Sequence, residues 1–367
     1  MREKSFLIVL QPSKANVGMV TRASLALFAT LSIIFAWLFV GVIQVSASGI
    51  TETQAQAIPW GIAFDKSGHV WVAEPGCDAE PNCGNSFSSY IGEYNGSNDT
   101  LVKNFLQPQG YSSPVFLIID GKGNIWFSEP TTNAIGRLTP TNEPGWQQWR
   151  VPTSNASPYD LTIDNNGNIW FTEISSNKIG FFNTTTNQIV ENAIPTSGSH
   201  PYGITKDPGG KIWFAENGQQ KIASFVPSTT GKVTITEYGI SSVGNPHLIT
   251  ADQSGNIWYS EGFSGDIGEY NPSTKVHNNI NVANGISSKH ISGIAVDSKG
   301  RIWFDDSLSA RVGVYTPSTG ALKTLTLSNH NAHPYDGLAL DSSGNTWFTE
   351  EYASPHGMLG KIPAGML

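Results

Sequence analysis

Cysteine is nearly absent, with only Cys77 and Cys83 in 367 residues. That excludes a small scaffold stapled by disulfides. Charge is scarce as well, at 14% of residues against about a quarter in ordinary domains. Basic residues are outnumbered 21 to 29, for a net charge of −8. This excludes the basic face of a nucleic-acid binder. There is no phosphate-cradling glycine loop, dinucleotide fingerprint, zinc-spaced Cys/His set or nucleophile elbow. Large apolar side chains are not lacking. With 11 Trp, 17 Phe and 11 Tyr, the chain has too much apolar surface to remain unfolded.

The first fifty residues stand apart. Arg2, Lys4, Lys14 and Arg22 precede an uncharged stretch from Ala23 to Val45. A helix of that length crosses a bilayer core of about 30 Å. The basic flank keeps the tail of residues 1–22 inside and predicts export of the chain beyond Ser46. Residues 23–47 read as a signal-anchor or as a signal peptide cut near Ala47. The product is a membrane-tethered or secreted extracytoplasmic protein. In that oxidising setting Cys77 and Cys83, six apart in one loop, are a candidate disulfide.

A repeat governs the rest. Asp-x-x-Gly-x-[Ile/Val/Thr]-Trp recurs with Trp at 71, 126, 170, 213, 258, 303 and 347. An Asp stands six before and a Gly three before each Trp. Each repeat reads as four short strands, A to D, with Asp-x-x-Gly as the A–B turn where glycine can take positive φ. A period near 44 with four strands is a propeller blade. The fold class is therefore all-β, a seven-bladed propeller over residues 50–367. An open ring would leave a sticky edge. The last repeat ends after strand C, so the segment from Ile50 is predicted to supply its outer strand.

Strand A starts and strand B ends on the same face, around one mouth of the central channel. Two polar sets fall there. One is the acidic position three after each Trp, from Glu74 to Glu350. It reads as structural, with Glu261, Asp306, Glu350 and Glu351 as candidate ligands for a divalent cation. The other is His200, His247, His290 and His333 at the start of strand A. Of these, His247, His290 and His333 are candidate catalytic bases.

Pro201-Tyr-Gly-Ile-Thr, the Asp-x-x-Gly-x-Ile-Trp-Phe-x-Glu turn and Asn177-Lys-Ile-Gly resemble blades of the streptogramin B lyases (virginiamycin B lyase). The resemblance implies a seven-bladed propeller with Mg²⁺ at one mouth. It also implies linearisation of a cyclic depsipeptide by elimination at a threonine ester. Glu351 matches the place of the family's last Glu. Pro246-His247 matches its Pro-His motif one blade early, and Tyr335 stands where the base is expected.

These residues support three functions. One is a metal-assisted carbon–oxygen lyase acting on an ester or cyclic depsipeptide. The second is a non-catalytic ectodomain whose mouth binds a small molecule, glycan or peptide. The third is a Ca²⁺-dependent lactonase-type hydrolase. A monomer without nucleic-acid partners, held to the membrane through its N-terminal helix, is expected in each case.

Overall fold

The computed structural model describes residues 43–45, 49–76, 88–111, 113–240, 244–287, 289–329, 331–352 and 357–367. The basic tail, the expected helix up to Val42 and the Cys77–Cys83 pair lie outside the described residues. The end of that expected helix does not. Ile43–Val45 is a strand, paired antiparallel with Thr51–Gln54. The outer edge of Thr51–Gln54 offers unpaired backbone groups, which this pairing satisfies. Among the described residues no helix is long and apolar enough to cross a membrane.

Seven antiparallel sheets succeed one another along residues 43–367, as the repeat predicts. Blade 1 runs from Ile62–Phe64 through His69–Glu74 and Tyr90–Asn95 to Leu101–Leu106. Blade 7 combines Pro334–Leu340, Thr346–Glu350 and Met358–Ile362 with Thr51–Gln54. Thr51 pairs Lys361 and Gln54 pairs Met358, so the N-terminal segment does supply the last blade's outer strand.

The repeated Asp explains itself at the A–B turn. In blade 4, Asp207 Oδ1 accepts the Lys211 N–H at 2.9 Å, and Oδ2 accepts Trp213 Nε1–H at 2.9 Å. The same indole bond forms in all seven blades, at 2.9 to 3.2 Å. All seven turn glycines have φ between 73° and 87°, where an L side chain is strained.

Each clamped Trp fills the gap to the next blade. Trp126 packs on Phe182 at 5.2 Å and Trp170 on Phe225 at 4.7 Å, ring centre to ring centre. Hydroxyls two residues after Trp tie neighbouring inner strands. Thr172 Oγ1 donates to Tyr202 O, and Ser260 Oγ donates to Ser292 O. Thr349 Oγ1 donates to Trp60 O at 3.0 Å, which joins blade 7 to blade 1. The ring is closed by side chains as well as by the shared sheet.

Candidate functional site

The acidic positions after Trp are all buried, although Glu261 also lines the mouth cavity. Blades stack face to face, so strand B side chains point at neighbouring blades or back into their own. Glu74 Oε2 accepts the N–H groups of Gln56 and Ala57, on the chain entering strand A. Glu216 Oε2 takes the Ser199 hydroxyl in the same way. These bonds come mainly from the approach to strand A, and less from the B–C loop. Burial pushes Glu74, Glu173 and Glu216 up to about 7.

The four candidate metal ligands are scattered in the same manner. Asp306 is engaged by Arg311 Nη2 at 2.6 Å, the His290 N–H at 2.9 Å and Ser309 Oγ at 2.9 Å. Glu350 is fully buried, and among the described residues neither carboxyl oxygen has a hydrogen-bond partner. Burial first, and then Glu52, push it up to about 8. Glu351 Oε2 lies 3.1 Å from His333 Nδ1, and Glu261 Oε2 accepts from Ser264 Oγ. Among the described residues, three ligand atoms converge only at Asp65, His69 and Glu93, on the turn side. There Asp65 is already committed to its turn and to Trp71. Among the described residues the mouth carboxylates as placed do not form a chelate for Mg²⁺ or Ca²⁺.

The histidines behave differently. His247 and His290 are 5% and 7% exposed, with ring centres 5.5 Å apart. Both line a cavity of about 550 Å³, together with Asn217, Glu261, Phe263 and Tyr335. His290 stacks on Tyr335 at 5.3 Å and 14°. Its Nδ1 is 3.3 Å from the Ser307 hydroxyl. Burial and then the neighbouring His247 lower His290 to about 4, so its imidazole is neutral at pH 7. His333 sits further out, on the other side of Tyr335 at 5.5 Å. His200 is exposed and joins neither.

One residue at the centre is not marked by the repeat pattern. Asp336, 3% exposed, places Oδ1 2.9 Å from His247 Nε2. Its Oδ2 is 3.3 Å from the Tyr159 hydroxyl and 3.4 Å from that of Tyr202. Those two hydroxyls are 2.5 Å apart. One donates to the other, which leaves a single hydroxyl proton for Oδ2. Burial, together with Asp336, holds both phenols well above their usual range, so they stay protonated donors. Blades 3, 4, 5 and 7 therefore meet on the axis. The available signal was a spacing: six residues separate the strand A Pro from the turn Asp at Pro158, Pro201 and Pro246, but seven at Pro334.

This geometry can be set beside known proteins. A family model described as the virginiamycin B lyase family matches residues 88–288. A search of curated proteins returns no match. Among solved structures, virginiamycin B lyase from Staphylococcus aureus superposes with a TM-score of 0.72 at 24% identity. That match covers 85% of this chain and 98% of the other. A catalytically inactive variant from the same organism, with quinupristin, gives the same figures. YCF48 bound to a D1 peptide superposes at TM-score 0.66 and 12% identity, covering 89% and 98%. At these identities the solved structures speak for the fold alone.

Proposed function

The chain belongs to the virginiamycin B lyase family, and from that premise we propose that its mouth opens an ester by base-promoted elimination. The observation that carries the reading is the pair of buried imidazoles in one cavity, one of them held neutral. His247 is the base. With Nε2 bonded to Asp336, its Nδ1 keeps a lone pair, and the Asn217 amide lies 3.5 Å from it. His290 ionises too low to be an efficient base at neutral pH. With the Ser307 hydroxyl donating to Nδ1, its Nε2–H is a neutral hydrogen-bond donor for a carbonyl oxygen.

The step balances without water. His247 takes the proton α to the carbonyl. The C–H electron pair becomes the Cα–Cβ double bond. The Cβ–O bond breaks, and the carboxylate departs with the two electrons of that bond. No part of this runs through a metal, since the mouth carboxylates do not converge on one.

The substrate class is an ester or lactone, with a depsipeptide closed at threonine as the first probe. Ring opening at unchanged mass, with a new unsaturated residue, is the expected product. His247→Gln should lower turnover by about 10²–10⁴-fold. A product heavier by one water would replace elimination with hydrolysis, the lactonase-type reading. A binding-only ectodomain is the second reading, favoured by Phe263, 74% exposed on the cavity rim. Saturable binding without product would select it. Export is part of the proposal, from the basic flank before Ala23; protease access to the propeller on intact cells tests it.

A further inference from the structure

We propose that Asp336 is a positioning residue that fixes His247 with Nδ1 toward the cavity. The one residue inserted in the last blade's strand A is what brings it there. The inference deepens the lyase reading and rests on it for the kinetic part of its test.

The insertion is visible in the pairing. In blades 3 and 4, three residue steps of strand A face two of strand B, between Pro158 and Leu161 and between Pro201 and Ile204. In blade 7, Pro334 pairs Glu350 and Leu338 pairs Phe348, so four steps face two. The surplus is absorbed at Asp336, which has φ 57°. A bulge of this kind re-aims a side chain and is common beside active sites. A non-glycine residue in this region is strained and persists only where its surroundings fix it.

The surroundings do fix it. The Asp336 N–H donates to Ser292 Oγ at 3.3 Å, and that hydroxyl donates to Asp305 Oδ1 at 2.7 Å. Gly337 comes next, and a Cβ there would lie 2.0 Å from Trp60 O. Only glycine lets the strand pass under blade 1 after the bulge. The Asp336 side chain is fully buried and reaches across the channel to His247. Tyr202 stacks on the His247 ring at 3.9 Å and fixes its plane.

Stability does not explain the arrangement. Blade 2 fills the same axial position with buried Val115, and a buried polar group must offset a desolvation cost that apolar packing does not carry. What the carboxylate adds is a choice of tautomer. It accepts the Nε2 proton, so the lone pair remains on Nδ1.

Two measurements on the full chain test this. ¹⁵N spectra of the imidazoles, with His247 assigned through His247→Gln, report which nitrogen carries the proton. The wild type should show Nε2–H. Asp336→Asn, whose amide can donate to Nε2, and Asp336→Ala, which removes the acceptor, should shift the population toward Nδ1–H. In kinetics, Asp336→Asn should lower kcat by about 10²-fold or more with KM within about threefold. An unchanged Nε2–H signature in every variant that folds would overturn the inference, as would an unchanged kcat. Should the wild type open no ester, the lyase reading falls, and the spectra alone decide on Asp336.

Discussion

At the turn face the repeats make nearly the same bonds: the Asp carboxylate takes one indole N–H in all seven blades, with two backbone N–H groups in six of them and the Lys211 N–H in blade 4. At the mouth face, the residue five before the turn Asp is not copied. It is Trp60, Val115, Tyr159, Tyr202, His247, Ser292 and, in the last blade, Asp336. The contrast separates two kinds of information in one repeat. Positions that every blade needs for stacking are copied. Positions that meet on the axis sit next to different neighbours, so each is free to differ without disturbing a blade interface.

The sharpest way to break this contrast is to remove one copied element. Trp213→Ala should cost about 3–5 kcal/mol of stability, read by denaturant unfolding. Ligand affinity well below the new melting point should be unchanged. A variant that kept its stability would show that the clamps do not hold the blades.

The second prediction concerns charge. Burial alone would raise the turn aspartates, but hydrogen bonds such as those from Ser67, Trp71 and His69 to Asp65 win and lower Asp65, Asp120 and Asp297. Their stabilisation is present above their ordinary value and is lost as pH falls through the lowered one. The strand-end carboxyls run the other way. Glu74, Glu173 and Glu216 near 7 and Glu350 near 8 bind protons that the unfolded chain releases around 4.5. Their contribution is whole below pH 4.5 and disappears as pH rises through 7 to 8. The protein should therefore melt lower at pH 9 than at pH 6. Glu350→Gln should recover about 2–4 °C at pH 9. Identical pH slopes for variant and wild type would remove Glu350 from the account.

The smallest effect is expected at the rim. Phe263→Ala should change stability by less than about 0.5 kcal/mol while weakening ligand binding several-fold. Equal affinity by calorimetry would take Phe263 out of the ligand site.

Much of the wheel was legible because three residue types recur in phase, and because an incomplete last repeat needs a strand from elsewhere. The site was legible only in part. His247 and His290 stood out through their position at the start of strand A. The acidic positions read as structural, but their bonding partners were hidden, because the end of a strand marks which face a residue is near, not which way its side chain points. Glu216 turns toward Ser199 within its own blade, and no residue type or spacing announces that. Asp336 was hidden for a different reason. A one-residue change in the Pro-to-Asp interval has no weight until strand pairing shows where the surplus is placed.

Thr51–Gln54 pairs with nearby Ile43–Val45 along one edge, but the partner of its other edge is Met358–Ile362, at the far end of the chain. During synthesis that early segment leaves the ribosome some three hundred residues before the chain it must join. Until then the backbone groups of that second edge are unsatisfied, and they are a template for stray pairing with other nascent chains. A holdase that covers this segment would guard the protein's most vulnerable interval, and shortening the wait by circular permutation should improve refolding yield.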